Sequence, residues 1–170
     1  MAVTVELTAM QLRFALEVAY ARRMRSLSIP RGNWGQTRET ALQDDFDGAL
    51  GEQALAHWLG VSWDGGKRGD KDVAGRYQVR TTSWPSGHLC LHREDADEDV
   101  VVLVLTHAAP RCILRGWIIA RDGKVPGVWG SLKPGRPAFN VPQSMLRPMH
   151  ELPGVVVERE IDGYRYEHRA

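Results

Sequence analysis

One stretch constrains the fold more than any other: DVVVLVLTH, residues 99–107, in which Val100 to Leu105 are uninterruptedly apolar. A run of that length is too short for a buried helix and too uniform for a strand with one wet face. It therefore predicts a central strand covered on both sides. The chain must supply two covering layers. Its first third reads as helix: Thr8 and Gln11 form a capping box ahead of residues 8–28, where Met10, Phe14, Val18 and Ala21 recur at helical spacing. A second helix is expected over 38–59, with Leu42, Phe46, Ala49, Leu50, Gln53, Ala54 and Trp58 inward and Gly60 as its stop. Gly48 and Gly51 inside that helix each cost about 1 kcal/mol against Ala, which implies a close neighbour at the backbone.

After residue 60 the period becomes alternating. VSW, DVA, RYQVRTTSW, HLCLH and RCILRGWIIA are strand candidates, HLCLH as a continuation of the sheet and Gly116 as a bulge. Residues 121–150 are rich in Gly and Pro and read as irregular, with one helical turn near QSMLRPM. A hairpin is expected around Asp162-Gly163. The sum is one α/β domain over 1–170, a central mixed sheet flanked by helices, with its core at about 38–119 and an irregular segment plus hairpin at 121–170. With 43% hydrophobic and 25% charged residues, a 170-residue chain can bury one core without staples. Cys90 and Cys112 are too few for a disulfide framework or a zinc cluster and read as small core residues. No run approaches a membrane span, and the first residues lack the basic-then-apolar pattern of an export signal; a cytoplasmic protein is expected.

The net charge of +1 announces no polyanion partner, but its distribution is uneven. Arg22, Arg23 and Arg25 are nearly unopposed in their stretch, five acids crowd residues 94–99 as an expected solvated turn, and 18 of the 22 basic residues are Arg, whose fork suits phosphate oxygens. In GDKDVAGRYQVRTTSW the counting matters most. Asp72 lies opposite Gln78, and Asp70 opposite Arg80, if the turn is odd-numbered and centred on Gly75, a residue suited to positive φ. A carboxylate, an amide and a cation would then share one face. Taken alone, that arrangement is also what a surface salt bridge between Asp70 and Arg80 would look like.

A helix bearing Gly51-Glu52, then Asp72, then Gln78-Val79-Arg80, in that order, resembles the PD-(D/E)XK nuclease superfamily, restriction-endonuclease-like proteins, over about residues 38–119. VRTTSW, GWIIA and VPQSML look like phage-type relatives of it. The resemblance implies a metal-dependent DNA nuclease: Asp72, Gln78 and Glu52 hold Mg²⁺ (or Mn²⁺), which takes oxygen ligands at about 2.0–2.1 Å, polarises a phosphoryl oxygen and activates water. It also implies DNA as partner and homodimers as a common assembly. Gln78 stands where the family has an acid, and Arg80 where it has a Lys. A guanidinium does not deprotonate, so Arg80 would position water or phosphate and not act as a base. The alternative is an inactive nuclease fold that binds DNA or protein. Arg22, Arg23, Arg25, Lys67, Arg68 and Lys71 are candidate phosphate contacts. Trp34, Trp63 and Trp84 are candidate stacking surfaces, though core roles fit most tryptophans. His57 reads best as a hydrogen-bonded helix residue; His88 and His92 lack a third metal partner.

Overall fold

A computed structural model describes residues 2–27, 38–66, 71–131, 137–160 and 163–168. Strand β1 (Val3–Glu6) leads into α1 (Ala9–Leu27) and α2 (Arg38–Leu59); then follow β2 (Tyr77–Thr82), β3 (Leu89–Leu91), β4 (Val100–Ala108), β5 (Arg111–Ile119) and the short α3 (Ala120–Gly123). Strands β6 (Trp129–Gly130), β7 (Ala138–Val141), β8 (Val155–Glu160) and β9 (Gly163–His168) complete the described elements. The main sheet is mixed, in the order β1-β5-β4-β2: β1 and β4 run antiparallel to β5, and β2 runs parallel to β4. The protein is α/β, and β4 is the buried strand that its sequence demanded, with Val101 to Thr106 all buried.

The two faces of that sheet serve two cores. Tyr77, Val79, Val102, Val104, Cys112, Leu114 and Trp117 pack under the helices with Ala15, Ala19, Leu50 and Leu55. Val101, Leu103, Leu105 and Ile118 pack on the other side with Leu89, Leu91 and Val141. Strand alternation makes this split obligatory. HLCLH therefore does not extend the main sheet: β3 pairs with β7, in a second sheet of order β3-β7-β6, and provides the other covering layer. VSW is not a strand either; Trp63 is instead buried at the edge of Phe14, ring centroids 5.6 Å apart. In β5, Leu103 pairs with Gly116 and Val104 with Leu114, so Arg115 has no opposite number and the bulge falls where the glycine suggested. A Cβ at Gly116 would lie 2.6 Å from the Arg147 carbonyl oxygen.

The capping box forms: the Thr8 N–H donates to Gln11 Oε1 at 2.9 Å and the Gln11 N–H to Thr8 Oγ1 at 3.3 Å. At the far end of α2, Gly60 at φ +68° closes a Schellman motif, with Gly60 N–H on His57 O and Val61 N–H on Ala56 O. The inward face of α1 keeps half of the stripe expected, Phe14 and Val18, which pack against the core. Met10 is 80% exposed and Ala21 is exposed, while Ala15 and Ala19 are fully buried. Small residues let α1 lie close along α2, antiparallel to it, so that Gln11 meets His57 and Arg23 meets Asp45. Leu42 on α2 is likewise 40% exposed. Residues 121–150 are less irregular than expected, since they supply β6 and β7 of the second sheet; Gln143–Met145 forms the expected helical turn. β8 and β9 pair as a hairpin, whose turn residue Asp162 lies outside the described residues. Among the described residues, no helix is long and apolar enough to cross a membrane.

Candidate functional site

The turn before β2 has the odd register: Val73 bridges Tyr77 in both directions, at 3.1 and 3.0 Å, around Ala74-Gly75-Arg76, with Gly75 at φ +62°. The first arm is no strand beyond that bridge. Asp72 explains why. Its Oδ2 accepts the Val79 N–H at 2.7 Å, so a side chain takes the backbone donor that a longer ladder would have used. Asp72 thus sits at the free edge of β2, the outermost strand of the sheet.

Around this edge the expected site residues separate. The register of β2 on β4 sets Gln78 beside Val101 and Arg80 beside Leu103, on the sheet face turned away from the helices. Glu52 belongs to α2, on the opposite face. The adjoining Gly51 shows how close that packing is: a Cβ there would overlap Thr81 Cγ2 and come within 3.2 Å of Val79 Cγ1. This is the close neighbour that the glycine predicted. Gly48 has none, its nearest atom being Arg22 Nη1 at 3.9 Å. The three oxygens proposed to share one ion are therefore not gathered: Gln78 lies across the sheet from Glu52, and Asp72 lies between them at the rim.

Four cations of the site, Arg22, Arg23, Lys71 and Arg80, already have protein partners. Arg22 donates from Nη1 to Glu52 Oε1 at 2.7 Å and from Nη2 to Glu52 Oε2 at 2.6 Å, and its Nη2 also reaches the Gly65 carbonyl at 2.7 Å. Arg80 donates to Asp95 at 2.9 Å and to the Cys90 carbonyl at 3.2 Å; Asp70, the partner expected for it, lies outside the described residues. Lys71 pairs with the buried Asp99. Arg23 bonds Ser26 Oγ and stands 3.9 Å from Asp45. Arg25 is exposed on the last turn of α1, and Lys67 and Arg68 lie outside the described residues. The stretch around Arg22 looked unopposed because its acids come from α2, some twenty to thirty positions away. The acidic run is likewise no mere solvated turn: Asp95, Asp97 and Asp99 receive Arg80, Lys124 and Lys71 in turn.

Burial pushes the Glu52 carboxyl above its usual range; the Arg22 fork opposes this, and the neighbouring Asp72 charge reinforces it. Asp72 is raised for the same reason, burial, against the Val79 amide and the charges of Arg80, Arg22 and Lys71. Glu52 contacts raise the Arg22 guanidinium further. Trp63 was readable from sequence only as a stacking or core residue; it lies under the fork, with the Arg22 guanidinium carbon 5.9 Å from its ring. Its indole N–H is buried without a full hydrogen bond, yet close enough to Glu52 to favour the ionised form. Gly65 and Gly66, at φ +91° and +65°, close over the pair; a Cβ at Gly66 would come 3.5 Å from Arg22 Nη2 and 3.6 Å from Glu52 Oε2.

The metal fits this set poorly. Both Glu52 oxygens already accept from Arg22, Gln78 is across the sheet, and among the described residues no three His, Cys, Asp or Glu side chains are grouped to hold an ion. Cys112 is buried as expected and Cys90 half-buried, and the two are not joined in a disulfide; burial raises Cys112 to about 11. His57 is the hydrogen-bonded helix residue expected, its Nδ1 2.8 Å from Gln11 Nε2. Trp84 stands apart from all this. It is 72% exposed on a turn that Gln143 pins by donating to Pro85 O and Gly87 O, at 2.8 and 2.9 Å. Comparison with family models, curated proteins and solved structures returned no match.

Proposed function

We propose that this chain is a non-hydrolytic nucleic-acid-binding module, built on a restriction-endonuclease-like order of elements whose hydrolytic centre is closed by internal ion pairs. The observation that carries the reading is the double hydrogen bond from Arg22 to Glu52, which places a fixed cation on the bidentate edge of that carboxylate, where Mg²⁺ or Mn²⁺ would have to compete with it. Arg80, held by Asp95 and the Cys90 carbonyl, is similarly withdrawn from any phosphate. Support for a nucleic-acid partner comes from the resemblance of Gly51-Glu52, Asp72 and Gln78-Val79-Arg80 to nuclease sequences. The pinned, exposed Trp84 adds to it, since every base offers a face on which an indole can stack. Arg25 supplies an exposed cation, and Lys67 and Arg68 remain candidate phosphate contacts.

The test is anisotropy of labelled single-stranded and duplex oligonucleotides across a salt series, beside a plasmid-nicking assay with Mg²⁺ and Mn²⁺. Expected are binding that weakens log-linearly with salt and no scission with either ion. Metal-dependent scission abolished by Asp72→Ala would restore the nuclease reading. A second reading, a protein-interaction module, is favoured by the exposed apolar residues Met10, Leu16, Tyr20, Met24 and Leu27 of α1. Absence of oligonucleotide binding at about 50 mM salt, together with self-association in sedimentation velocity, would select it.

A further inference from the structure

We propose that Arg22 is the resident counter-ion of the Glu52–Asp72 pair, seated where a divalent cation would otherwise sit, so that these carboxylates take up a hard cation only when the guanidinium is withdrawn. This deepens the reading of a closed hydrolytic centre, and it concerns cation uptake alone. Three observations converge. Arg22 reaches Glu52 from a different element, α1, and meets both of its oxygens, as a bidentate carboxylate meets an ion. Its remaining hydrogen bond is to the Gly65 carbonyl, a further oxygen of the type that hard cations accept. The glycines at 65 and 66 let bare backbone close on the pair, and the Asp72 main-chain oxygen stands 3.7 Å from where a Gly66 Cβ would be. Asp72 itself is near enough for its charge to act on both Arg22 and Glu52. Without Arg22, Glu52 would be a buried carboxylate beside a second carboxylate, a surplus of negative charge that only a proton or another cation offsets.

Trp63, beside the fork, provides the reporter: indole excitation sensitises Tb³⁺ luminescence when the lanthanide binds within a few ångströms. The full chain is titrated with Tb³⁺, and separately with Mn²⁺ followed by the loss of free-ion electron paramagnetic resonance. Wild type should show background uptake. Arg22→Gln should bind at least tenfold more tightly, and Arg22→Lys, which keeps the charge but cannot bridge two oxygens, should lie between. Adding Glu52→Gln to Arg22→Gln should abolish the gain, and Trp63→Phe should abolish the sensitised emission while leaving Mn²⁺ uptake. An Arg22→Gln chain that folds by circular dichroism only with Ca²⁺ present would also support the proposal. Should it fail to fold at all, Arg22→Lys decides. The proposal is overturned if wild type binds as tightly as the variants through Glu52, or if the folded Arg22 variants gain nothing. Loss of oligonucleotide binding in the earlier assay would leave these outcomes unchanged, so the two ideas fail separately.

Discussion

Arg22 and Glu52 meet fork to fork across the α1–α2 interface, two hydrogen bonds of 2.7 and 2.6 Å between a guanidinium 27% exposed and a carboxylate 7% exposed. Removing one partner of such a pair strands the other in a poorly solvated place. Arg22→Met should cost about 3 kcal/mol in urea denaturation, and the double variant Arg22→Met/Glu52→Leu should recover most of it. Additive losses in the double-mutant cycle would show that the pair is not coupled.

Two glycines of one helix should respond with opposite signs. Gly51→Ala drives a methyl into Thr81 and Val79 and should lose about 1–3 kcal/mol despite its better helix propensity. Gly48→Ala meets nothing closer than 3.9 Å and should gain up to about 1 kcal/mol. Chemical denaturation midpoints of the two variants decide this directly.

Asp45, Asp47, Glu52 and Asp72 are all raised above their ordinary values of 3.8 or 4.5, burial being the leading cause in each case. The folded chain then holds these protons more firmly than the unfolded chain. Their contribution is complete below the unfolded values and is lost as pH climbs through the higher folded ones. The melting temperature should fall as pH rises from about 4.5 towards neutrality, and Asp47→Asn should flatten part of that slope. A rising profile over this window would contradict the assignment.

Gln78→Glu with Arg80→Lys restores the family's residue types, yet both side chains stay on the sheet face away from Glu52. The double variant should nick no plasmid under Mg²⁺ or Mn²⁺. It should instead lose about 1 kcal/mol of stability, because one ammonium nitrogen does not reproduce the separate Nε and Nη2 donors by which Arg80 reaches the Cys90 carbonyl and Asp95.

Trp84 is too exposed for its truncation to disturb the core. Trp84→Ala should leave stability within about 0.5 kcal/mol while weakening single-strand binding by roughly 1–3 kcal/mol, measured by anisotropy. Unchanged binding would remove the stacking role.

What the sequence made legible was local. Thr8 with Gln11, Gly60, Gly75 and Gly116 each mark a feature settled within a few residues, and the bounds Arg38–Leu59 match the second helix as read. The apolar run at 100–105 told how many layers the fold needs. What stayed hidden depends on partners distant along the chain. Whether Gln78 and Arg80 look towards α2 or away from it is fixed by the register of β2 on β4, which no counting within the hairpin reveals. The cations of α1 looked free, and the acids at 94–99 looked solvated, because their partners belong to other elements. Ala15 and Ala19 do not announce themselves as an inner face because their apolar signal is weak, whereas close helix packing selects small side chains.

The unmatched Arg115 has a consequence for the strand that carries it. Before the kink, even-numbered residues of β5 (Cys112, Leu114) point to the helices; beyond it the odd-numbered Trp117 does so. That one surplus position re-phases the ribbon, and the gap opened at Gly116 is where Arg147 docks, main chain to main chain with Trp117 at 3.0 and 2.8 Å. Excising Arg115 would leave the pairs Val104–Leu114, Leu103–Gly116 and Val102–Trp117 in place and restore plain alternation, so Trp117 would still face the helices, while the gap that receives Arg147 would be lost. The surplus residue therefore serves the attachment of the segment around Arg147, and the sheet could close without it.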